Sequence, residues 1–322
     1  VAQLDALETA VAGRSPAKLA WDRFRRNKVS MFALVLTVLI FFVAFSAPLI
    51  TGWFGVDPYS RDKNAIDLIN LGLPKGPWAG ASWEHPLGVE PGTGRDLMAR
   101  LLYGARISIT IGLFTSIISI SIGLVAGVVS GYFRGRVDSS IGRLIDFLLA
   151  FPALFLIIAL SRPMADRLQE FTGIENRNTV MVMLLIILLS VLGWASMARV
   201  IRAEVLSLRE REFVLAAQSL GASNSRIIFR ELIPSLWPKA IIFLSLSLPG
   251  FLTTEAVLSF LGVGIAAPDP TWGLMLSDAV TYWSVVPAYF FFPGFFLVTV
   301  VTALNLLGAG VSDAFDPKYQ KS

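Results

Sequence analysis

Cysteine is absent from the 322 residues, and histidine occurs once, at His85. Without Cys there is no disulfide, thiolate metal site or Cys nucleophile, and a single His excludes a multi-histidine metal centre within the chain. Charge is scarce as well. Asp, Glu, Lys and Arg make up 16% of the sequence, where a soluble protein carries about a quarter. The phosphate-binding pattern G-x-x-x-x-G-K-[ST] is missing, so the chain is not expected to hydrolyse ATP itself. Gly92-Thr93-Gly94 has no third Gly in position for a nucleotide loop.

What remains is apolar. Hydrophobic residues form 55% of the chain and mean hydropathy is +0.67. Several runs reach the roughly 20 residues that cross a bilayer. A barrel would show short alternating segments instead. The fold class expected is therefore an all-α polytopic membrane protein. The net charge of +4 and pI near 9.5 do not call for nucleic acid, because basic residues collect on cytoplasmic loops.

Six spans are expected, at 31–50, 107–132, 144–160, 179–198, 240–265 and 285–311. A basic segment, 1–30, precedes them, with Arg14, Lys18, Arg23, Arg25, Arg26 and Lys28. Residues 16–28 predict a short interfacial helix with Trp21 and Phe24 on its apolar side. Arg25-Arg26 is faintly like a twin-arginine signal, but the apolar run behind it exceeds a signal-peptide core, so an uncleaved first span is expected. Outer loops are expected at 51–106, 161–178 and 266–284, with a tail at 312–322 that holds Lys318 and Lys321. Residues 96–103 read as a short helix capped near Thr93. Ser, Thr and Gly in the second span favour close helix packing, and Pro152 is expected to bend the third. Eighteen Lys and Arg fall on the side of the termini and nine on the other, which puts both termini in the cytoplasm. No internal repeat stands out, which weighs against an inverted-repeat carrier.

The one sizeable polar island between apolar runs is 204–239, EVLSLREREFVLAAQSLGASNSRIIFRELIPSLWPK. It predicts two helical stretches joined around Gly221-Ala222-Ser223. Ala216, Ala217 and Leu220 form an apolar row on the first, and Ile227, Ile228, Leu232 and Ile233 form one on the second, closed by Pro234. A short helix of this kind beneath a membrane either docks into a partner's groove or caps the bundle.

This segment resembles the cytoplasmic "EAA" loop of binding-protein-dependent ABC importer permeases, whose pattern is EAA, three residues, Gly, nine residues, I-x-L-P. Here Ala216, Ala217, Gly221 and Pro234 keep that spacing. Leu215 stands at the Glu of EAA, and Glu212, three residues upstream, is taken to supply the acid. The segments HPLGVEPGTGRDLMARLLYGARISI (85–109), DFLLAFPALFLIIAL (146–160), EAVLSFLGVGIAAPDPTWGLML (255–276) and LNLLGAGVSDAFDP (304–317) are similar to C-type permeases of the dipeptide, oligopeptide and nickel importers. The resemblance implies a type I ABC importer permease fold of six transmembrane helices, with a core at 107–311. Its implied coupling residues are Glu212, Ala216, Ala217, Gly221, Ala222 and Pro234. The implied partners are a paralogous permease, two ATPase subunits carrying ATP and Mg, and an extracytoplasmic substrate-binding protein, in a bacterial cytoplasmic membrane. No cofactor is expected on this chain. The implied substrates are short peptides, with nickel, glutathione or oligosaccharide as alternatives.

Glu255 is the ionisable residue placed deepest in a span. It reads either as an outer gate or polar point on the translocation path, or as an interhelical hydrogen-bonding group. For the second reading the partners are Thr253, Thr254, Asn305 or the second permease. Asp146 reads as interfacial and structural, and His85 as a turn or contact residue. Trp78, Trp83, Trp272 and Trp283 are either in a docking face or interfacial anchors. Two rival functions remain, an ion-coupled carrier working alone and a membrane scaffold for a peripheral enzyme. No chain of Asp, Glu and His crosses the spans to favour the carrier.

Overall fold

A computed structural model describes residues 16–316; Arg14, Lys318 and Lys321 lie outside them. The described chain is mostly helical, with the long first outer loop the main exception. Helix α1 (Pro16–Arg26) lays Phe24 against the last span, with Trp21 stacked on Phe24 at a ring separation of 5.9 Å. Asn27 breaks it and caps α2 (Lys28–Phe45), its side chain accepting from the Val29 and Ser30 amides. Helix α3 (Ala47–Phe54) follows after Ser46. Among the described residues the only paired strands are Ile66–Asp67 and Leu73–Pro74, a short hairpin in the first loop.

Helix α4 (Leu97–Phe133) absorbs the short helix expected at 96–103. Its cap is Asp96 rather than Thr93, with Oδ1 accepting from the Ala99 amide at 2.7 Å. Nothing between Tyr103 and Ile107 breaks the helix, and Gly104 is accommodated against Thr271 and Trp272. At about 1.5 Å per residue α4 is roughly 56 Å long. It outreaches a hydrocarbon core of about 30 Å.

Helix α5 (Gly135–Ala150) and helix α6 (Ala153–Thr172) meet at 89°. Proline drives its predecessor out of helical geometry, and Phe151 before Pro152 is extended. The third span is thus broken where only a bend is predicted, and α6 runs on through most of the expected loop at 161–178. That region reads as loop because Arg162, Asp166 and Glu170 are polar. They lie on the solvent side of α6, while Ser161 and Ala165 are buried.

Helix α7 (Arg177–Leu208) packs along α4. Gly123, Gly127 and Gly131 recur every fourth residue on α4. A Cβ at these positions would lie 2.9, 2.7 and 2.8 Å from atoms of α7. The small-residue stripe therefore sets the closeness of this pair, as the composition of the second span predicts.

After α7 come α8 (Glu212–Ser219), a helical turn at Asn224–Arg226 and a π-helical stretch at Ile227–Leu232 that leads into α9 (Ile233–Phe260). Pro234 does not close the second stretch, as predicted, but sits in the first turn of α9. Its ring nitrogen has no hydrogen to donate, and the Ile233 amide reaches back five residues to the Ile228 carbonyl, so the backbone widens instead of stopping. Residues 224–260 form one continuous apolar rod. Helix α10 (Trp272–Ala279) occupies the last outer loop, capped by Thr271, and α11 (Pro287–Phe315) ends the described chain. Among the described residues five helices are each long and apolar enough to cross a membrane, and the bent α5–α6 pair makes a sixth when it is counted as one span.

Candidate functional site: a docking element and a buried charge cluster

The polar island is held on the C-terminal ends of α4 and α7. Arg209 donates to the Tyr132 carbonyl at 2.8 Å, and the Tyr132 hydroxyl donates to Asn224 Oδ1 at 2.9 Å. Arg134 pairs with Glu210 at 2.6 Å, Arg202 takes Asp138 in a two-point grip, and Lys239 pairs with Glu204. Beneath this polar frame, Val214, Ile227, Leu232 and Leu236 are buried with Ile201, Val205 and Leu208. The element is thus seated on a core of its own.

Its outward face is different in kind. Glu212, Leu215, Ala216 and Ser219 fall within one helical sector of α8, and all are exposed, while Val214 and Ala217 turn inward. Leu220 is 88% exposed and Phe229 69%. Gly221 adopts φ +77°, and a Cβ there would meet nothing within 4 Å. The left-handed turn disfavours an ordinary L side chain, yet this chain leaves the space beyond it open. Ala222 is half-buried and Pro234 exposed. Glu212, Ala216 and Gly221 are thus all exposed, and Ala217 is half-buried.

Glu255 lies elsewhere, fully buried in the interior of α9. Its Oε1 accepts from the Ser259 hydroxyl at 2.7 Å, one turn along the same helix. The predicted partners are otherwise engaged: Thr253 and Thr254 donate to the carbonyls of Pro249 and Gly250, and Asn305 donates to Val301. Ser108 of α4 neighbours the carboxyl without hydrogen-bond geometry. Asp146 pairs with Arg199 at the surface. Trp272 is no interfacial anchor. It is buried, donating Nε1 to the Leu101 carbonyl at 3.1 Å.

A second constellation stands at the opposite end of α4, and sequence reading misses it. Glu90 is buried, with Oε1 accepting from the Tyr289 hydroxyl at 2.7 Å and Oε2 from Thr93. Arg100, wholly buried, places Nε 3.3 Å from Glu90 Oε1 and donates Nη1 to the Pro268 carbonyl at 3.0 Å. Arg95 Nη1 lies 3.9 Å from Glu90 Oε2. Burial first, and Arg100 second, pull the Arg95 guanidinium below its ordinary value. The Asp278 carboxyl is pushed up by desolvation and then by Glu90. Nearby, His85 bridges Asp96 at 2.9 Å and Asp62 at 3.4 Å, a contact role as predicted. The only sequence signal for the cluster is Glu90, Arg95 and Arg100 at intervals of five, which matches neither helix nor strand period, and Tyr289 is 199 residues from Glu90.

The helical arrangement is that of a type I ABC importer permease. The inward-facing methionine ABC transporter MetNI has a chain that superposes with a TM-score of 0.53 at 16% identity, covering 68% of this chain and 98% of that one. Residues 119–321 match the family "binding-protein-dependent transport system inner membrane component". Residues 15–73 match the "N-terminal TM domain of oligopeptide transport permease C". The oligopeptide transport system permease protein OppC of Bacillus subtilis (strain 168) is 35% identical over 304 residues, spanning 94% of this chain and 90% of that protein. The dipeptide transport system permease protein DppC of the same organism is 33% identical, over 94% and 86%. The glutathione transport system permease protein GsiD of Pectobacterium atrosepticum is 32% identical, over 95% and 93%. The chain belongs to the binding-protein-dependent transport system inner membrane component family. It is a permease subunit, and ATP hydrolysis in such importers is performed by separate subunits.

Proposed function

We propose that this chain forms half of the translocation pathway of an ATP-driven importer for short peptides. It works beside a paralogous permease, two ATPase subunits carrying ATP and Mg, and an extracytoplasmic binding protein. Both termini and α8 face the cytoplasm of a bacterial inner membrane. The observation that carries this reading is α8 with its turn. An apolar edge, Leu215, Leu220 and Phe229, is left exposed by a chain that seats the other side of the same element on a buried core. A rigidly mounted element with an unpaired apolar edge suits a partner's groove. Glu212, Ala216, Ala217, Gly221, Ala222 and Pro234 make the coupling element, and domain closure in the ATPases moves it. Glu255 is assigned to the gate end of α9, where its free oxygen becomes available when α9 shifts.

The test uses the assembled importer in proteoliposomes, measuring ATP hydrolysis and peptide uptake together. Gly221→Ala carries only the backbone cost of the left-handed turn, about 1–2 kcal/mol. Gly221→Glu adds bulk and charge in the open space. We expect Gly221→Glu to hydrolyse ATP while uptake falls at least about tenfold, with Gly221→Ala in between; wild-type uptake by the Glu variant, correctly assembled, would exclude the coupling role. A glutathione importer is the second reading, favoured by the 32% identity to GsiD, and competition between peptide and glutathione separates the two.

A further inference from the structure

Counting donors and acceptors in the buried charge cluster leaves a surplus. Glu90 spends one oxygen on Tyr289 and the other on Thr93. Against it stand two buried guanidinium groups; Arg95 Nε and Arg100 Nη2 have no hydrogen-bond acceptor among the described residues, and Arg100 Nε meets Glu90 Oε1 at 3.3 Å as an ion pair without hydrogen-bond geometry. Buried donors are nearly always paired, and an unpaired one on a charged group is costly. The buried guanidinium groups therefore keep donors, Arg95 Nε among them, that no acceptor of the protein meets.

A cavity of about 460 Å³ opens beside it, lined by Glu90, Thr93, Arg95, Asp278, Tyr282 and Tyr289. Its wall carries both signs of charge. Arg95, 8% exposed, is the cation. Asp278 is the carboxylate that no hydrogen bond or ion pair engages among the described residues, for Glu90 is already committed. Partial desolvation, and then the Glu90 carboxylate, raise the Asp278 carboxyl above its ordinary value, and perturbed carboxyl groups gather at functional sites. The two tyrosine rings, 6.4 Å apart, give the same cavity an aromatic side.

From the surplus of buried cationic donors and the opposed charges of the cavity wall, we infer that this cavity binds a small zwitterion. Its carboxylate is received at Arg95 and its ammonium at Asp278. The zwitterion is a short peptide held by its two termini, which deepens the peptide-import reading and rests on it for the identity of the ligand. An extended dipeptide separates its ends by roughly 7 Å, and its side chains would lie toward Tyr282 and Tyr289. Recognition of the termini alone is indifferent to peptide sequence, as a step downstream of a selective binding protein requires.

The experiment measures binding of dialanine, its C-terminal amide and N-acetyl-dialanine to the assembled permease–ATPase complex in nanodiscs. No binding protein is present, and the readout is ligand-observed NMR saturation transfer. Wild type is expected to bind dialanine saturably and each capped peptide at least about tenfold more weakly, the loss of one charged contact. Arg95→Gln should erase the preference for free acid over amide and keep the preference for free amine. Asp278→Asn, at an exposed position that holds no other residue in place, should do the converse. Absence of dialanine binding in wild type, equal binding of the capped peptides, or both preferences persisting in Asp278→Asn would overturn the inference. ATP-driven uptake is assayed separately with the binding protein present. Uptake without binding sinks this inference alone, and binding without uptake sinks the import reading and leaves a zwitterion site.

Discussion

Glu90 is the residue on which the outer end of the fold turns, because it is the ion-pair partner of Arg100 in a fully buried setting. Removing one partner of a buried ion pair costs about 3–5 kcal/mol, since the survivor keeps its desolvation penalty. Glu90→Gln should therefore lower the thermal midpoint of the detergent-purified complex by several degrees, and Tyr289→Phe by less. Asp278 runs the opposite way. Its carboxyl is raised in the folded state, so above its folded value the charged form weighs against folding, and the penalty is relieved as pH falls through that value. Asp278→Asn should leave stability at pH 7.5 unchanged or higher, and should flatten the wild-type gain on acidification, as followed by melting curves at successive pH values. Trp272→Phe should cost about 1 kcal/mol through the lost bond to Leu101, a small drop in the same assay.

At the scale of elements, the close approach of α4 and α7 and the mounting of α8 are the two features to perturb. Gly127→Val brings a side chain to a position where even a Cβ lies 2.7 Å from Ile201. Overpacking of that degree costs about 1–3 kcal/mol and should appear as reduced yield of assembled complex. Arg209→Ala frees the α4 carbonyl it holds and loosens the seat of α8. Uptake should fall more than ATP hydrolysis does. The helices themselves were legible in the sequence wherever a long apolar run or a small-residue stripe carried them, as in α2, α4, α7 and α11. Three boundaries were not. Pro152 broke a helix rather than bending it, Pro234 widened one rather than ending it, and α6 hid behind a polar face. The outcomes depend on the geometry Pro152 imposes on Phe151, on the acceptor the Ile233 amide finds, and on which face of α6 meets solvent, none of which residue type alone tells. The helix and turn of the polar island were readable because they are local, with Gly221 at the turn. The charge cluster joins Glu90 and Arg95 of the first outer loop, Arg100 of α4 and Tyr289 of α11 at no regular spacing, so only folding reveals it.

For the molecule as a whole, the two sites lie at opposite ends of α4, and the chain carries no phosphate loop of its own. An importer permease therefore differs sharply from a carrier working alone. Purified chain in liposomes with an ion gradient should accumulate no peptide, whereas the assembled complex with ATP inside the liposomes and binding protein outside should do so. Gradient-driven uptake by the isolated chain would restore the carrier reading, and an assembled complex without solute flux would favour a scaffold.

Residues 224–260 form one helical rod with a π-helical stretch near its start, roughly 56 Å from the turn of the polar island to Phe260 just past Glu255. A rod of that length would act as a seesaw. Tilted by about 10° around its middle, it would carry each end roughly 5 Å in opposite directions, given the half-length set by the helical rise. The same stroke that draws the docking end one way would push the far end the other. A single helix would then make the two mouths of the pathway alternate, with no second moving part to keep them out of step.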